Sequence, residues 1–220
     1  MWISRTVRIG WLAACAVLLA VACVGLLWGG DLIPQLTRDP AALSDTHPMN
    51  GLLSNLGAAC ELLSAAVFAW TALLLRRRID LRMARFLIGG VLISTLLWVD
   101  DFFMMHDLIL PYYLGIPEEL SLGAGALFVL TWFYVFRDMY GANRPRLFLV
   151  AVFCLVASVA SDQLEPILKP AIGEWRFLLE DGIKWLGLAA WLLWHFAFSV
   201  NLIRQHLRQR KSETRPIGQR

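Results

Sequence analysis

Trp98-Val99-Asp100-Asp101-Phe102-Phe103-Met104-Met105-His106-Asp107 sets two adjacent carboxylates inside an apolar run of membrane-spanning length. A carboxylate at the centre of a spanning helix costs about 2.5–3.5 kcal/mol on insertion scales. Such a residue is expected to face the interior of a helix bundle and to find a partner there. The stretch therefore predicts a membrane fold and marks the place in it where polar chemistry collects.

Composition points the same way. Of 220 residues, 58% are hydrophobic and 17% charged, too apolar for an ordinary soluble domain and long enough for several spans of about 20 residues each. Cys15, Cys23, Cys60 and Cys154 lie inside apolar runs with no Cys-x-x-Cys, so they read as small buried hydrophobes. Leu12-Ala13-Ala14-Cys15 imitates a lipoprotein cleavage box, but the apolar run continues past it to Trp28, so a spanning helix is expected there.

Working outward from the acidic pair, apolar runs and their breakers predict an all-α, integral membrane six-helix bundle filling residues 1–210. Its helices are expected at about 9–28, 52–75, 86–110, 119–136, 147–165 and 182–203, with a basic, disordered cytoplasmic tail at 211–220. Pro111 is expected to end the third helix and Pro166 the fifth. The loop 29–50, with Pro34, Pro40 and Pro48, reads as irregular, and 166–181 as an interfacial turn or short surface helix.

Alternate links carry 16 of the 20 Lys and Arg residues, which by the positive-inside rule puts both termini in the cytoplasm of a bacterial inner membrane. Thirteen of the 17 acids lie at or beyond the opposite helix ends, so the chemistry is expected to face outward. At about 1.5 Å rise per residue from each Arg-marked end, Glu61, Asp100, Asp101, Glu119 and Asp162 all fall about 21–27 Å up their helices, with His106, Glu165 and Lys184 slightly higher. One polar layer results. Asp162 and Glu165 share a helix face, as do Asp181 and Lys184, and Lys184 is the natural counter-ion, placed at the rim. His195 falls about 13 Å from the cytoplasmic end among Trp191, Trp194 and Phe198, where a neutral imidazole bonded to a neighbouring helix, or a proton relay, is expected.

Asp100-Asp101-x-Phe103-x-x-His106-Asp107, Glu180-Asp181-Gly182-x-Lys184-x-x-Gly187 and Ser54-Asn55-x-Gly57 make the chain resemble an uncharacterised family of bacterial polytopic membrane proteins. The architecture is distantly similar to the alkaline-ceramidase-like intramembrane hydrolases. That likeness implies a zinc held by histidines and an aspartate, although the clustered histidines of that superfamily do not occur in this sequence.

Three functions fit these residues. One is a metal-dependent hydrolase of a lipid amide or ester: a divalent cation such as zinc on Asp100, Asp101, His106 and Asp162 would activate water, with Glu61 or Glu165 as general base. The second is a cation or proton-coupled transporter using the same acids, with His195 below them. The third is a non-catalytic membrane subunit with an acidic outer face. All three have membrane lipids as partners, and none involves nucleic acid.

Overall fold

The computed structural model describes residues 2–30, 32–37, 40–47, 49–140 and 145–213. These residues are helical throughout, with no strand among them, and divide into two compact units, 1–51 and 52–220. In the first unit, α1 (Trp2–Trp28) is followed by two short helices, α2 (Leu32–Thr37) and α3 (Pro40–Leu43). The irregular loop expected at 29–50 is thus partly helical. Pro34 and Pro40 stand in the first turns of their helices, where the missing N–H has no intrahelical partner to lose. Asp31, Arg38, Asp39 and Pro48 lie outside the described residues.

The second unit holds α4 (Leu52–Leu75), α5 (Leu81–Phe103), a π-helical segment (Met105–Tyr113), α6 (Glu118–Val135), α7 (Arg137–Tyr140), α8 (Pro145–Gln163), α9 (Glu165–Ile172) and α10 (Trp175–Glu213). Four helices are long and apolar enough to cross a membrane by length and composition: α4, α5, α8 and α10. Cys15–Trp28 forms a shorter apolar stretch. Large side chains such as Phe153, Leu127 and Leu130 point outward, which suits lipid rather than water. The 39-residue α10 packs against both α4 and α8, and α4 packs in turn on α5.

Aromatic rings fill the core between these helices. Phe68, Phe86, Trp191, Trp194 and Phe198 are all but fully buried, and Phe86 stacks on Trp132 with centroids 4.9 Å apart. The rings need room beside α5, and Gly89-Gly90 supplies it. A Cβ added at Gly89 would run into the Trp132 ring, and one at Gly90 would meet Phe68 at 2.5 Å. Trp132 Nε1 also donates to the Phe86 carbonyl, at 3.2 Å, tying α6 to α5.

Several boundaries differ from the sequence expectation, three of them near the polar layer. The third helix stops at Phe103, not Leu110: Met104 adopts a left-handed conformation (φ 50°, ψ 50°), and the chain resumes as a π-helix that contains Pro111. The fifth ends at Gln163, and Glu165 opens α9 instead of closing α8, with Pro166 in its first turn. The sixth begins seven residues early, at Trp175, because Gly173 (φ 56°) ends α9 and no breaker stands between Trp175 and the expected start. The expected tail is helical through Glu213, and 214–220 lie outside the described residues.

Candidate functional site

Successive helical residues point about 100° apart, so Asp100 and Asp101 leave α5 in different directions and reach different partners. Asp101 turns to α10, where Lys184 Nζ donates to its Oδ1 at 2.8 Å. The Asp101 side chain is 10% exposed. From α4 comes Glu61, 1% exposed, with Asp101, Lys184 and Asp100 as its charged neighbours. Its Oε2 is buried without a hydrogen-bond partner. Asp181, one turn before Lys184 on α10, lies in the electrostatic range of both Lys184 and Asp101.

Beside this cluster is a cavity of about 10 Å³ lined by Ser54, Gly57, Asp101, Asp181, Lys184 and Trp185, among others. That is room for about one water. Three separate stretches of sequence therefore converge on one small polar space: the start of α4, the end of α5 and the first half of α10.

Asp100 does something else. One oxygen accepts the backbone N–H of His106 at 3.0 Å, and the other accepts the ring Nδ1–H at 2.7 Å. These bonds close the chain around left-handed Met104, whose own N–H donates to the Asp100 carbonyl. Above Met104, Leu108 and Ile109 both donate to its carbonyl, which widens the turn into the π form. On the far side of the ring, His106 Nε2 is 3.1 Å from Asp107 Oδ1. The hydrogen bond to Asp100 raises the proton affinity of His106 above the ordinary imidazole range, against the opposing effect of desolvation.

The expected metal set of Asp100, Asp101, His106 and Asp162 is not gathered around one point. Asp100 holds His106, Asp101 holds Lys184, and Asp162 accepts from Gln163 at 3.2 Å. Glu165 pairs with Arg176 at 2.7 Å, within the α9–α10 corner, instead of joining Asp101. The reason is the break at Leu164, which turns Glu165 away from the α8 face it was expected to share with Asp162. The acid that does join Asp101 is Glu61, because α10 lies between α4 and α8 and brings its lysine to the α4 side. Lys184 pairs with Asp101 and is a charged neighbour of Glu61, with its own side chain 36% exposed.

His195 stands apart from both groups. It is 0% exposed, within a ring-centroid distance of 3.9 Å from Phe68 and 4.4 Å from Trp191. Its Nδ1 donates to the Trp191 carbonyl at 2.9 Å, so its bond is to its own helix, not to a neighbour, and Nε2 has no partner. Sequence reasoning missed Ser54, Asp107 and Glu118 as site residues. Ser54 was visible as part of a quoted motif, whereas Glu118 looked like an ordinary polar helix end.

Among the described residues, the one group of three or more His, Cys, Asp or Glu side chains with metal-ligand spacing is His106, Asp107 and Glu118. The chain is thus, over its described residues, an all-helical protein of membrane-spanning composition with a charged, largely buried site between three of its helices. It belongs to the family described as a domain of unknown function, DUF8692, whose model matches residues 11–198 and so takes in every residue of both clusters. No curated protein and no solved structure matches the chain.

Proposed function

We propose that this chain is a proton-coupled protein of the bacterial inner membrane, a six-span bundle with both termini cytoplasmic, in which Glu61, Asp101 and Lys184 form the coupling site. α1 and α6 join the four longer helices as spans, and the Lys and Arg distribution supports the orientation.

The observation that carries this reading is a charge imbalance in a nearly closed space. Glu61 and Asp101 bring two carboxyls against the one ammonium of Lys184, and the less deeply buried Asp181 adds a third carboxyl at the cavity wall. An uncompensated charge in a low-dielectric interior is strongly disfavoured, so the cluster calls for at least one more positive charge. A cavity of about 10 Å³ admits a proton with about one water, not a hydrated metal cation. It is also too small for a lipid amide or ester, and the metal set a lipid hydrolase would use is dispersed. Membrane lipids remain the surrounding partner and are not the substrate in this reading.

The test is proton movement in proteoliposomes containing a pH-sensitive dye, with an imposed potassium diffusion potential. Native protein should move protons faster than empty vesicles, and Glu61→Gln and Asp101→Asn should abolish the excess. A native rate equal to the empty-vesicle rate, or variants as fast as the native protein, overturns the reading.

A further inference from the structure

We propose that His106, Asp107 and Glu118 form a binding site for one divalent transition-metal cation of the zinc class, with Asp100 as the residue that aims the imidazole. This site is separate from the Glu61 cluster and stands whether or not that cluster carries protons.

Ligand atoms from the three side chains lie within 4.8 Å of one another. A tetrahedral zinc with bonds of about 2.0–2.2 Å needs ligand atoms about 3.3–3.6 Å apart, so the site closes by small side-chain rotations. His106 Nε2 and Asp107 Oδ1, at 3.1 Å, are already near that spacing.

The arrangement of the imidazole is what separates this group from a chance meeting of surface acids. Asp100 is not one of the three ligands. It accepts the ring Nδ1–H at 2.7 Å and the backbone N–H of the same residue at 3.0 Å, which fixes both the tautomer and the direction of the ring. A carboxylate on the remote nitrogen is the usual support of a metal-ligating histidine. The other nitrogen is left facing two carboxylates.

Those carboxylates come from different elements. Asp107 belongs to the π-helical segment, and Glu118 arrives from the first turn of α6, which packs against that segment. A first-turn acid interacts favourably with the helix dipole, but that explains Glu118's sequence position, not its convergence with His106. One nitrogen with two oxygens suits zinc or a neighbouring first-row dication, and is poor for calcium, which takes six to eight oxygens. The Asp107 side chain is 60% exposed, which gives the ion a way in from solvent. Three protein ligands leave a further coordination position for water.

The experiment uses the full chain in detergent micelles, stripped with a chelator and titrated with Zn²⁺, and with Co²⁺ as a spectroscopic stand-in. One ion per chain is expected, with cobalt d–d bands that Zn²⁺ bleaches and Ca²⁺ does not. His106→Ala and Glu118→Gln should each remove the bands, and Asp100→Asn should keep the stoichiometry while weakening binding about 10–100-fold. Asp138→Asn, far along the chain in the exposed Arg82 ion pair, should bind as the native protein does. Helix content by circular dichroism confirms folding, and Glu118→Gln preserves shape should His106→Ala fail to fold. The proposal is overturned if the native chain retains no metal, or if binding survives both His106→Ala and Glu118→Gln.

Discussion

Asp101 and Asp100 share a peptide bond, yet one ends against Lys184 in the bundle interior and the other, 28% exposed, closes a turn around His106. The first carboxylate is held by a full countercharge from another helix, 83 residues away. The second is held by local hydrogen bonds six residues away. Long-range charge pairing stabilises the deep position because nothing weaker offsets desolvation there, whereas backbone and ring N–H groups suffice where water still reaches. Depth, not residue type, decides which kind of partner each acid has.

The difference is open to attack by mutation. Lys184→Met should have the largest effect, since it leaves Asp101 and Glu61 without their ammonium: about 3–5 kcal/mol of stability lost, read from the unfolding midpoint in detergent. Asp101→Asn should cost less, about 3 kcal/mol, because the Lys184 side chain is 36% exposed and can turn its charge toward solvent. Combining the two changes should cost less than their sum, and strict additivity would mean the pair is not coupled.

At the shallower acid, Asp100→Ala should cost about 2 kcal/mol, the range for hydrogen bonds to a charged group, and should expose the His106 amide to faster hydrogen exchange. If it equals Lys184→Met, depth is not the deciding variable. Met104→Gly should stabilise by about 1 kcal/mol by relieving the left-handed backbone, with a raised midpoint as the readout. Smallest of all is Asp138→Ala: its pair with Arg82 is 55% exposed on both sides, and its loss should shift stability by less than about 1 kcal/mol.

Much of this was legible in the residues. The limits of α4 follow from the apolar run and the Arg76-Arg77-Arg78 stop, and the partnership of Asp101 with Lys184 follows from the need of a deep carboxylate for a cation. Glu61 at matching depth was also readable. What could not be read was the end of α5: Pro111 is a strong breaker on paper, but the break occurs earlier, through side-chain bonds from Asp100 that a linear pattern does not display. The divergence of Asp100 from Asp101 follows from the 100° step between them, which sends adjacent acids to different faces of the helix. The starting point of α10 and the turning aside of Glu165 depend on how a Pro and Gly break is resolved in space.

The ring contacts at Gly89 and Gly90 have a mechanical consequence. With the Trp132 indole pressed against one face of α5 and Phe68 against the next, the helix is gripped near its middle, as a lever is at its fulcrum. The arm from Gly90 to Asp101 is about 16 Å long at helical rise, so a tilt of about 4° at the grip carries the carboxylate about 1 Å. That displacement is enough to stretch a 2.8 Å ion pair beyond hydrogen-bonding distance. A substitution at either glycine that tilted the helix by this much would therefore be felt at its far end, in the hold of Asp101 on its lysine.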